Sequence, residues 1–409
     1  MRPIFKVLIL WLATLLVHLW LIFEAGLNPQ SAPFNDVLLY SFWLDQMNQS
    51  QSILGLNEPW VYPFVALGPI ILANLFGGSA GLMTGWLILV GLLNAIGLSA
   101  IVDWGMEGRR AFQAAYFYLA FLAVLGPVAI GRIDSAATFL ALLGLVQVYR
   151  DRPRLAMIFF TLGAWIKIWP VSAALSLFMS AKAKLRMVLW AVLTSGALIA
   201  LAIALGGDSK IASFITMQGD RGIQVEAPIA TFWLWAALTG VPEAGIYFDN
   251  QLMTNQIAGP MVAEVARLMS LAMLIAIAIT AWLGFKAYRA GANSKHLFAI
   301  MAVTATLDLI VFNKVGSPQF ELWLAVPLMA GILLNLPRWR LPLAAGLAIA
   351  LLTNLVYPVF YPDLMGLGQL SIGLLTLRNL ALIGLLVWAN IRLGGLSKPA
   401  KARSGLVLD

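Results

Sequence analysis

The sequence has no cysteine, which removes disulfides and thiolate chemistry from consideration. It has two histidines, His18 and His296, and no His/Asp/Glu spacing that resembles a tight metal site. It has neither a Walker-type glycine loop nor a dinucleotide glycine pattern, which argues against a nucleotide donor bound inside the cell. Charge is scarce: 11% of the 409 residues are Asp, Glu, Lys or Arg, against 61% hydrophobic. A soluble globular domain does not carry that balance. There is no tandem motif and no low-complexity segment before the C-terminal tail, so one domain is the default.

What the chain does have is apolar runs from end to end. Only helices or closed barrels satisfy the backbone inside lipid, and the runs lack the alternation of barrel strands. The expected fold is an all-α polytopic membrane protein with about 12 transmembrane helices. The first run, about Phe5 to Phe23, is too long for a signal-peptide core and lacks a clear cleavage site, so it reads as a span.

The formal charge of +8 is not a nucleic-acid footprint. Its distribution reads topology. Arg2 and Lys6 put the N-terminus inside. The segment from Glu24 to Trp60 carries four carboxylates and no Lys or Arg, and reads as an outer loop. Of the next two apolar runs, Tyr62 to Phe76 is expected to lie along the outer interface as a juxtamembrane helix, and Leu82 to Val102 to cross. Otherwise Arg109-Arg110 and every later basic loop would fall on the wrong side. The remaining spans are about Ala111–Ile130, Ser135–Tyr149, Leu155–Ile166, Val171–Ser180, Met187–Leu205, Val262–Phe285, Leu297–Phe312, Phe320–Leu334, Leu341–Val356 and Ile372–Ile391. The organisation expected is a seven-span module over 1–205 with an outer loop at 24–81, a long outer loop at 206–260 with an amphipathic stretch at Ala230–Leu238, and a five-span module with a basic inner tail over 261–409.

All but seven of the 26 Lys and Arg fall inside on this reading. The seven are Arg132, Lys167, Lys210, Arg221, Arg267, Lys314 and Arg378, all at or near outer ends of spans. Positive charge there opposes the usual bias and needs a partner or a purpose.

These residues fall into short polar stretches. In Pro33-Phe34-Asn35-Asp36-Val37-Leu38-Leu39-Tyr40, the Asp36 carboxylate is either a helix cap or a catalytic base. Arg132 and Asp134 either neutralise each other or act separately, Arg132 on an anion and Asp134 on an acceptor hydroxyl or a cation. Lys167, before Trp169-Pro170, either snorkels to the interface or meets phosphate as a point charge. Asp220 to Pro228 is either a plain surface loop or a grip of Arg221, Gln224 and Glu226 on a sugar or its phosphate. In Asn313 to Gln319, a tight turn explains Gly316 and Pro318 but not Lys314 or Gln319, which could donate to phosphate or sugar oxygens. Glu321 adds an intramembrane carboxylate. Trp43, Trp60, Tyr62, Trp169, Trp233 and Trp235 read as outer belt anchors, some of which could stack on sugars.

Taken in order, Asp36 with Tyr40, Tyr62-Pro63, Gly131-Arg132-Ile133-Asp134, Trp165-Ile166-Lys167-Ile168-Trp169-Pro170, Arg221 to Glu226 and Lys314-Val315-Gly316-Ser317-Pro318-Gln319 resemble the GT-C superfamily of integral-membrane glycosyltransferases. They look most like glycosyltransferase family 87 and glycosylphosphatidylinositol mannosyltransferase I. The family's loop often reads Asp-Phe-x-x-Tyr, and Val37 departs from it. The resemblance implies a sugar donor carried on a polyprenyl phosphate and an inverting transfer on the extracytoplasmic face. It implies Asp36 as general base. Lys167, Arg221, Lys314 and Arg132 are the candidates for the donor phosphate, with Arg378 behind them. Asp134, Tyr40, Tyr62, Gln224, Glu226 and Gln319 are the candidates for the sugar or acceptor. Mannose to a cell-envelope glycolipid or glycan is the leading expectation, and arabinofuranose the rival. A divalent metal is left open, since Asp36 and Asp134 could share one. Membrane lipids are expected partners, nucleic acid is not, and the sequence assigns no oligomeric state. The competing classes are a transporter or flippase of lipid-linked sugars, which would use the same charges as a path, and a membrane scaffold, which would not need Asp36.

Overall fold

The computed structural model describes residues 2–217, 221–250 and 253–397. Asp220 and the basic tail from residue 398 lie outside the described residues. The chain is helical, in the order α1 (Pro3–Leu27), α2 (Asn35–Ser50), α3 (Leu67–Gly77), α4 (Gly81–Ile101), α5 (Arg109–Leu125), α6 (Asp134–Tyr149), α7 (Pro153–Ala164), α8 (Val171–Ser180), α9 (Lys184–Ala204), α10 (Ser213–Thr216) and α11 (Thr231–Leu238). A two-stranded antiparallel hairpin follows, β1 (Gly245–Asp249) with β2 (Thr254–Ala258), in the register Tyr247 opposite Gln256. Then come α12 (Val262–Arg289), α13 (Ser294–Val311), α14 (Ala325–Leu333), α15 (Arg340–Asn354), α16 (Tyr361–Met365) and α17 (Gln369–Gly395). The hairpin is a departure from the all-α expectation: Tyr247 and Phe248 are β-formers, and β-branched Ile246 stands opposite Ile257.

Seven segments of the described residues are long and apolar enough to cross a membrane: α1, the stretch Phe64–Ile101, α9, α12, α13, the stretch Arg340–Val359, and α17. The expectation of about twelve also counts α5, α6, α7, α8 and the segment Pro318–Leu333 as crossings. These helices run 10–17 residues, short of the roughly 20 that span the hydrocarbon unaided. Pro318–Leu333 starts as a 3-10 turn and continues as α14. Its extra rise per residue extends its reach.

Helix α13 sits at the centre, with fourteen of its 18 residues buried, against two of 21 in α9 and five of 28 in α12. The last two therefore present apolar side chains such as Leu193, Leu201, Leu274 and Trp282 outward, as a lipid-facing surface does. Helix α3 has eleven residues and folds back on the start of α4. A Cβ on Gly85 would overlap the Ala73 carbonyl and Gly77, so glycine permits that close approach.

The polar loops collect at two ends. At one end Arg150 meets Asp103 at 2.6 Å, Lys295 meets Asp151 at 2.9 Å, the Tyr149 hydroxyl donates to Glu107 at 3.3 Å, and Arg392 donates to the Pro337 carbonyl at 3.3 Å. The loops read from sequence as inner thus meet one another. The loops read as outer meet at the other end, around α2 and the 206–260 segment.

Candidate active site

The site is built first on the turn into α2. Its N-cap is Phe34 and no side chain caps the helix. Asp36 is therefore not engaged as a cap, and its Oδ2 lies 3.3 Å from Arg132 Nε. The helix places Val37 and Tyr40 inward and packs Trp43, Leu44 and Met47 against the core, the i, i+3, i+4 spacing of an amphipathic helix. Asp36 rides at the edge of that face.

Arg132 holds more than Asp36. It donates from Nη1 to the Pro33 carbonyl at 2.8 Å and from Nη2 to the Tyr357 hydroxyl at 3.2 Å. One guanidinium thus fixes both the approach to α2 and its first turn, the fork geometry for which arginine is suited. Burial pulls the Arg132 pKa down, and Asp36, Tyr357 and Tyr40 together more than reverse this, so the group is held above its ordinary value and stays charged. Gly131 lies under Phe34, where a Cβ would come within 2.6 Å of the ring. The Ile133 amide donates to the Tyr40 hydroxyl at 2.8 Å, which ties the start of α6 to α2.

Asp134 does not pair with Arg132. Its Oδ1 accepts from Trp323 Nε1 at 2.6 Å and its Oδ2 lies 3.6 Å from Lys167 Nζ. The two acids and two bases of these loops are therefore cross-paired over long sequence distances, Asp36 with Arg132 and Asp134 with Lys167. Burial lowers the Lys167 pKa, and Asp134, Tyr62 and Asp36 together outweigh it, so the net shift is upward. The Lys167 ammonium sits 4.5 Å from the centroid of the Tyr62 ring, a cation–π contact. Tyr62, Trp43 and Trp60 meet edge to face at 5.3–5.9 Å, and Trp43 stacks on Tyr40.

Burial raises the pKa of the Tyr62 hydroxyl, and the charges of Lys167, Asp36, Asp134 and Arg221 all reach it. Arg221 is partly buried and its Nε has no partner among the described residues; burial lowers its pKa. A buried donor left without an acceptor is costly and suits an incoming anion.

The loops 221–228 and 313–319 are stitched together. The Gln224 amide donates to the Lys314 carbonyl at 2.9 Å, and Ser317 Oγ donates to Gln224 Oε1 at 3.0 Å. Gly316 packs on Ala227, whose backbone a Cβ would overlap. Lys314 and Gln319 are both buried in this loop. Glu226 is buried as well; burial raises its pKa, opposed by a backbone hydrogen bond and by the charge of Arg378. Arg378 on α17 pairs with Glu321 and donates to the Glu226 carbonyl. It thereby joins α17, the start of the α14 segment and the outer loop in one buried link.

Residues that sequence reasoning did not single out are Tyr357, Tyr361, Trp323 and Asn255. Tyr357 bonds Arg132, Trp323 bonds Asp134, and Asn255 donates to the Tyr361 hydroxyl at 2.9 Å. Tyr357 and Tyr361 flank prolines in the stretch Tyr357-Pro358-Val359-Phe360-Tyr361-Pro362, a visible break at the end of a span. The two carboxylates suggested as sharing a metal each face a cation of the chain. No group of three His, Cys, Asp or Glu comes together among the described residues.

Comparison with known families adds an independent finding. Residues 60–237 match the family model of glycosyltransferase family 87. This chain resembles glycosyltransferase family 87. The match indicates a membrane glycosyltransferase, and it covers Tyr62, Arg132, Asp134, Lys167, Arg221, Gln224 and Glu226. No curated protein matches the chain.

Proposed function

We propose that the chain is an inverting glycosyltransferase that moves a sugar, mannose first, from a polyprenyl phosphate to a hydroxyl of a cell-envelope glycolipid or glycan. In this reading the end that carries Asp36 faces outward, the basic loops face the cytoplasm, and α5 to α8 and Pro318–Leu333 cross with their short ends shielded by protein.

The observation that carries the proposal is the accessibility of Asp36. Its side chain is 30% exposed, whereas those of Asp134 and Glu321 are each 1% exposed. It is the one of these three carboxylates an acceptor can reach, and it stands beside buried cations. Asp36 takes the proton of the acceptor hydroxyl as that oxygen bonds the anomeric carbon. The bond from the anomeric carbon to the phosphate oxygen breaks at the same time, and its electron pair leaves with the lipid phosphate. The leaving group is already stable as an anion, so positive charge placed near it helps more than a general acid. Lys167, Arg221 and Lys314 supply that charge, and Arg132 orients Asp36. Asp134 acts through Lys167 and does not touch the acceptor. Tyr62 and Trp43, both half-buried, offer a stacking wall for the sugar. Tyr40, Gln224, Glu226 and Gln319 are buried and shape the site from behind.

The test is transfer by purified protein in liposomes with a glycolipid extract as acceptor. Labelled polyprenyl-phosphate mannose, polyprenyl-phosphate arabinose and a nucleotide-activated mannose are offered in turn. We expect transfer from a lipid-phosphate donor and none from the nucleotide sugar. Transfer from the nucleotide sugar alone, or flux of a lipid-linked sugar across the vesicle without transfer, would overturn the proposal.

A further inference from the structure

A proline disfavours helical dihedrals in the residue before it. Tyr357, before Pro358, accordingly stands at φ −137° and ψ 117°, in extended backbone where the path of α15 breaks. Its side chain turns inward and the residue is buried. The hydroxyl accepts from Arg132 Nη2 at 3.2 Å and donates to the Ser31 carbonyl at 3.1 Å, with the Ala32 carbonyl farther off at 3.5 Å. A guanidinium can only donate and a carbonyl can only accept, so the chemistry of the partners fixes the direction of the hydroxyl. Ser31 replies across the same contact, its Oγ donating to the Pro358 carbonyl at 2.7 Å.

Between Ser31 and Pro33, Ala32 has a φ of +43°, a left-handed backbone that is costly for a residue with a Cβ. Such a residue persists where its surroundings hold it. Here Tyr357 holds the carbonyl before it, and Arg132 holds the Pro33 carbonyl after it at 2.8 Å. The two holding side chains are bonded to each other. No side chain caps α2. Its packed face fixes the rotation of the helix, and this clamp fixes its first turn, where Asp36 stands.

The other side of Tyr357 leads to the loop that begins at Arg221. The Tyr357 ring meets Tyr361 edge to face, with centroids 4.8 Å apart. The Tyr361 hydroxyl accepts from Asn255 of β2 at 2.9 Å. Strand β2 is in turn bonded to the loop: the Ile257 amide donates to the Ile223 carbonyl at 2.9 Å, and the Val225 amide to the Asn255 carbonyl at 3.2 Å. Tyr357 thus stands where the support of the base meets the support of the phosphate-side loop.

We propose that Tyr357 is a positioning residue for the transfer. Through Arg132 and the turn into α2, it holds Asp36 in register with the loop that carries Arg221. It touches neither substrate. The inference rests on Asp36 as the general base. Transfer needs the base, the acceptor hydroxyl and the anomeric carbon aligned at once, and a misplacement of about 1 Å can cost roughly a hundred-fold in rate.

The experiment compares wild type, Tyr357→Phe, Ser31→Ala, Asp36→Asn and the Tyr357→Phe/Asp36→Asn protein, each as the full chain in liposomes. Labelled polyprenyl-phosphate mannose and a glycolipid extract are titrated in turn. Phenylalanine keeps the ring against Tyr361 and removes only the hydroxyl. A thermal melt followed by tryptophan fluorescence shows that each protein is folded at the assay temperature. We expect Tyr357→Phe to lower kcat about ten-fold with the donor KM within about two-fold, the pattern of support given in the transition state. Ser31→Ala loosens the clamp from its other side and should lower kcat about three-fold in the same pattern. In the Asp36→Asn background, Tyr357→Phe should cost less than about two-fold, because a residue that acts through the base has nothing left to position. A wild-type kcat in both Tyr357→Phe and Ser31→Ala, or an equal loss from Tyr357→Phe with and without the Asp36 carboxylate, would overturn the positioning role and leave a structural staple. Wild-type transfer by Asp36→Asn would instead overturn the base itself, and no transfer by wild type would overturn the reading of the chain as this enzyme.

Discussion

Replacing Lys167 with Met separates two roles that the site assigns to one ammonium. The first is electrostatic support of Asp134, whose Oδ2 lies 3.6 Å away with its side chain 1% exposed. At that distance and an effective dielectric of about 20, the gross attraction is roughly 5 kcal/mol. Removing one partner of such a buried pair costs about 3–5 kcal/mol, because the other charge is left without compensation. Lys167→Met should therefore lower stability by about that amount, read as a shift in a detergent denaturation curve. Adding Asp134→Asn removes the stranded carboxylate and should recover most of the loss, leaving Trp323 still able to donate to the amide oxygen. The second role is contact with the donor phosphate. A hydrogen bond to a charged group contributes about 1.5–3 kcal/mol, which converts to roughly a ten- to hundred-fold loss in kcat/KM. The double variant should keep that loss although its stability has returned, and the defect should appear when the lipid-phosphate donor is titrated. A double variant with restored stability and wild-type donor kinetics would refute the phosphate contact. A single variant of unchanged stability would refute the pairing with Asp134.

Arg132→Lys keeps the charge but loses the fork that reaches Asp36, the Pro33 carbonyl and Tyr357 together. We expect a destabilisation of about 1–3 kcal/mol with at least a ten-fold fall in transfer rate, measured on protein shown to be folded. Gly316→Ala drives a Cβ into the Ala227 backbone and should cost about 1–3 kcal/mol, detected as early proteolysis of the 206–260 segment. Chelation with EDTA should leave transfer within about two-fold, because Asp36 and Asp134 are each engaged by a cation of the chain, Arg132 and Lys167; a complete loss restored by one divalent ion would contradict this.

The polar stretches legible in the sequence are the ones the fold brings together. Asp36, Arg132, Asp134, Lys167 and Arg221 stood out because each is a charge beside an apolar span, where charge is costly without a use. Their pairing was not legible. Proximity in sequence suggested Arg132 with Asp134, two residues apart. The fold instead joins Arg132 to Asp36 and Lys167 to Asp134, since α6 starts at Asp134 and turns the two side chains to different neighbours. Tyr357, Tyr361 and Trp323 were missed for a related reason. They are aromatic side chains that carry no charge, and only their long-range partners reveal a polar task. The hairpin at 245–258 was missed because a long outer segment between strongly apolar spans gives no periodicity of its own, and a two-stranded ribbon depends on the structure it rests on. The count of crossings stayed coarse because short helices such as α8 are apolar for two different reasons, burial in protein and contact with lipid.

Asp36→Asn, assayed beside wild type for transfer from labelled polyprenyl-phosphate mannose in liposomes, tests the central claim most directly. The amide keeps the size and a hydrogen-bonding oxygen for Arg132 but cannot accept the acceptor's proton. General-base catalysis contributes about a hundred- to ten-thousand-fold, so the folded variant should lose at least about a hundred-fold in rate with its donor affinity little changed. A rate within about three-fold of wild type would contradict the assignment of Asp36 as the base.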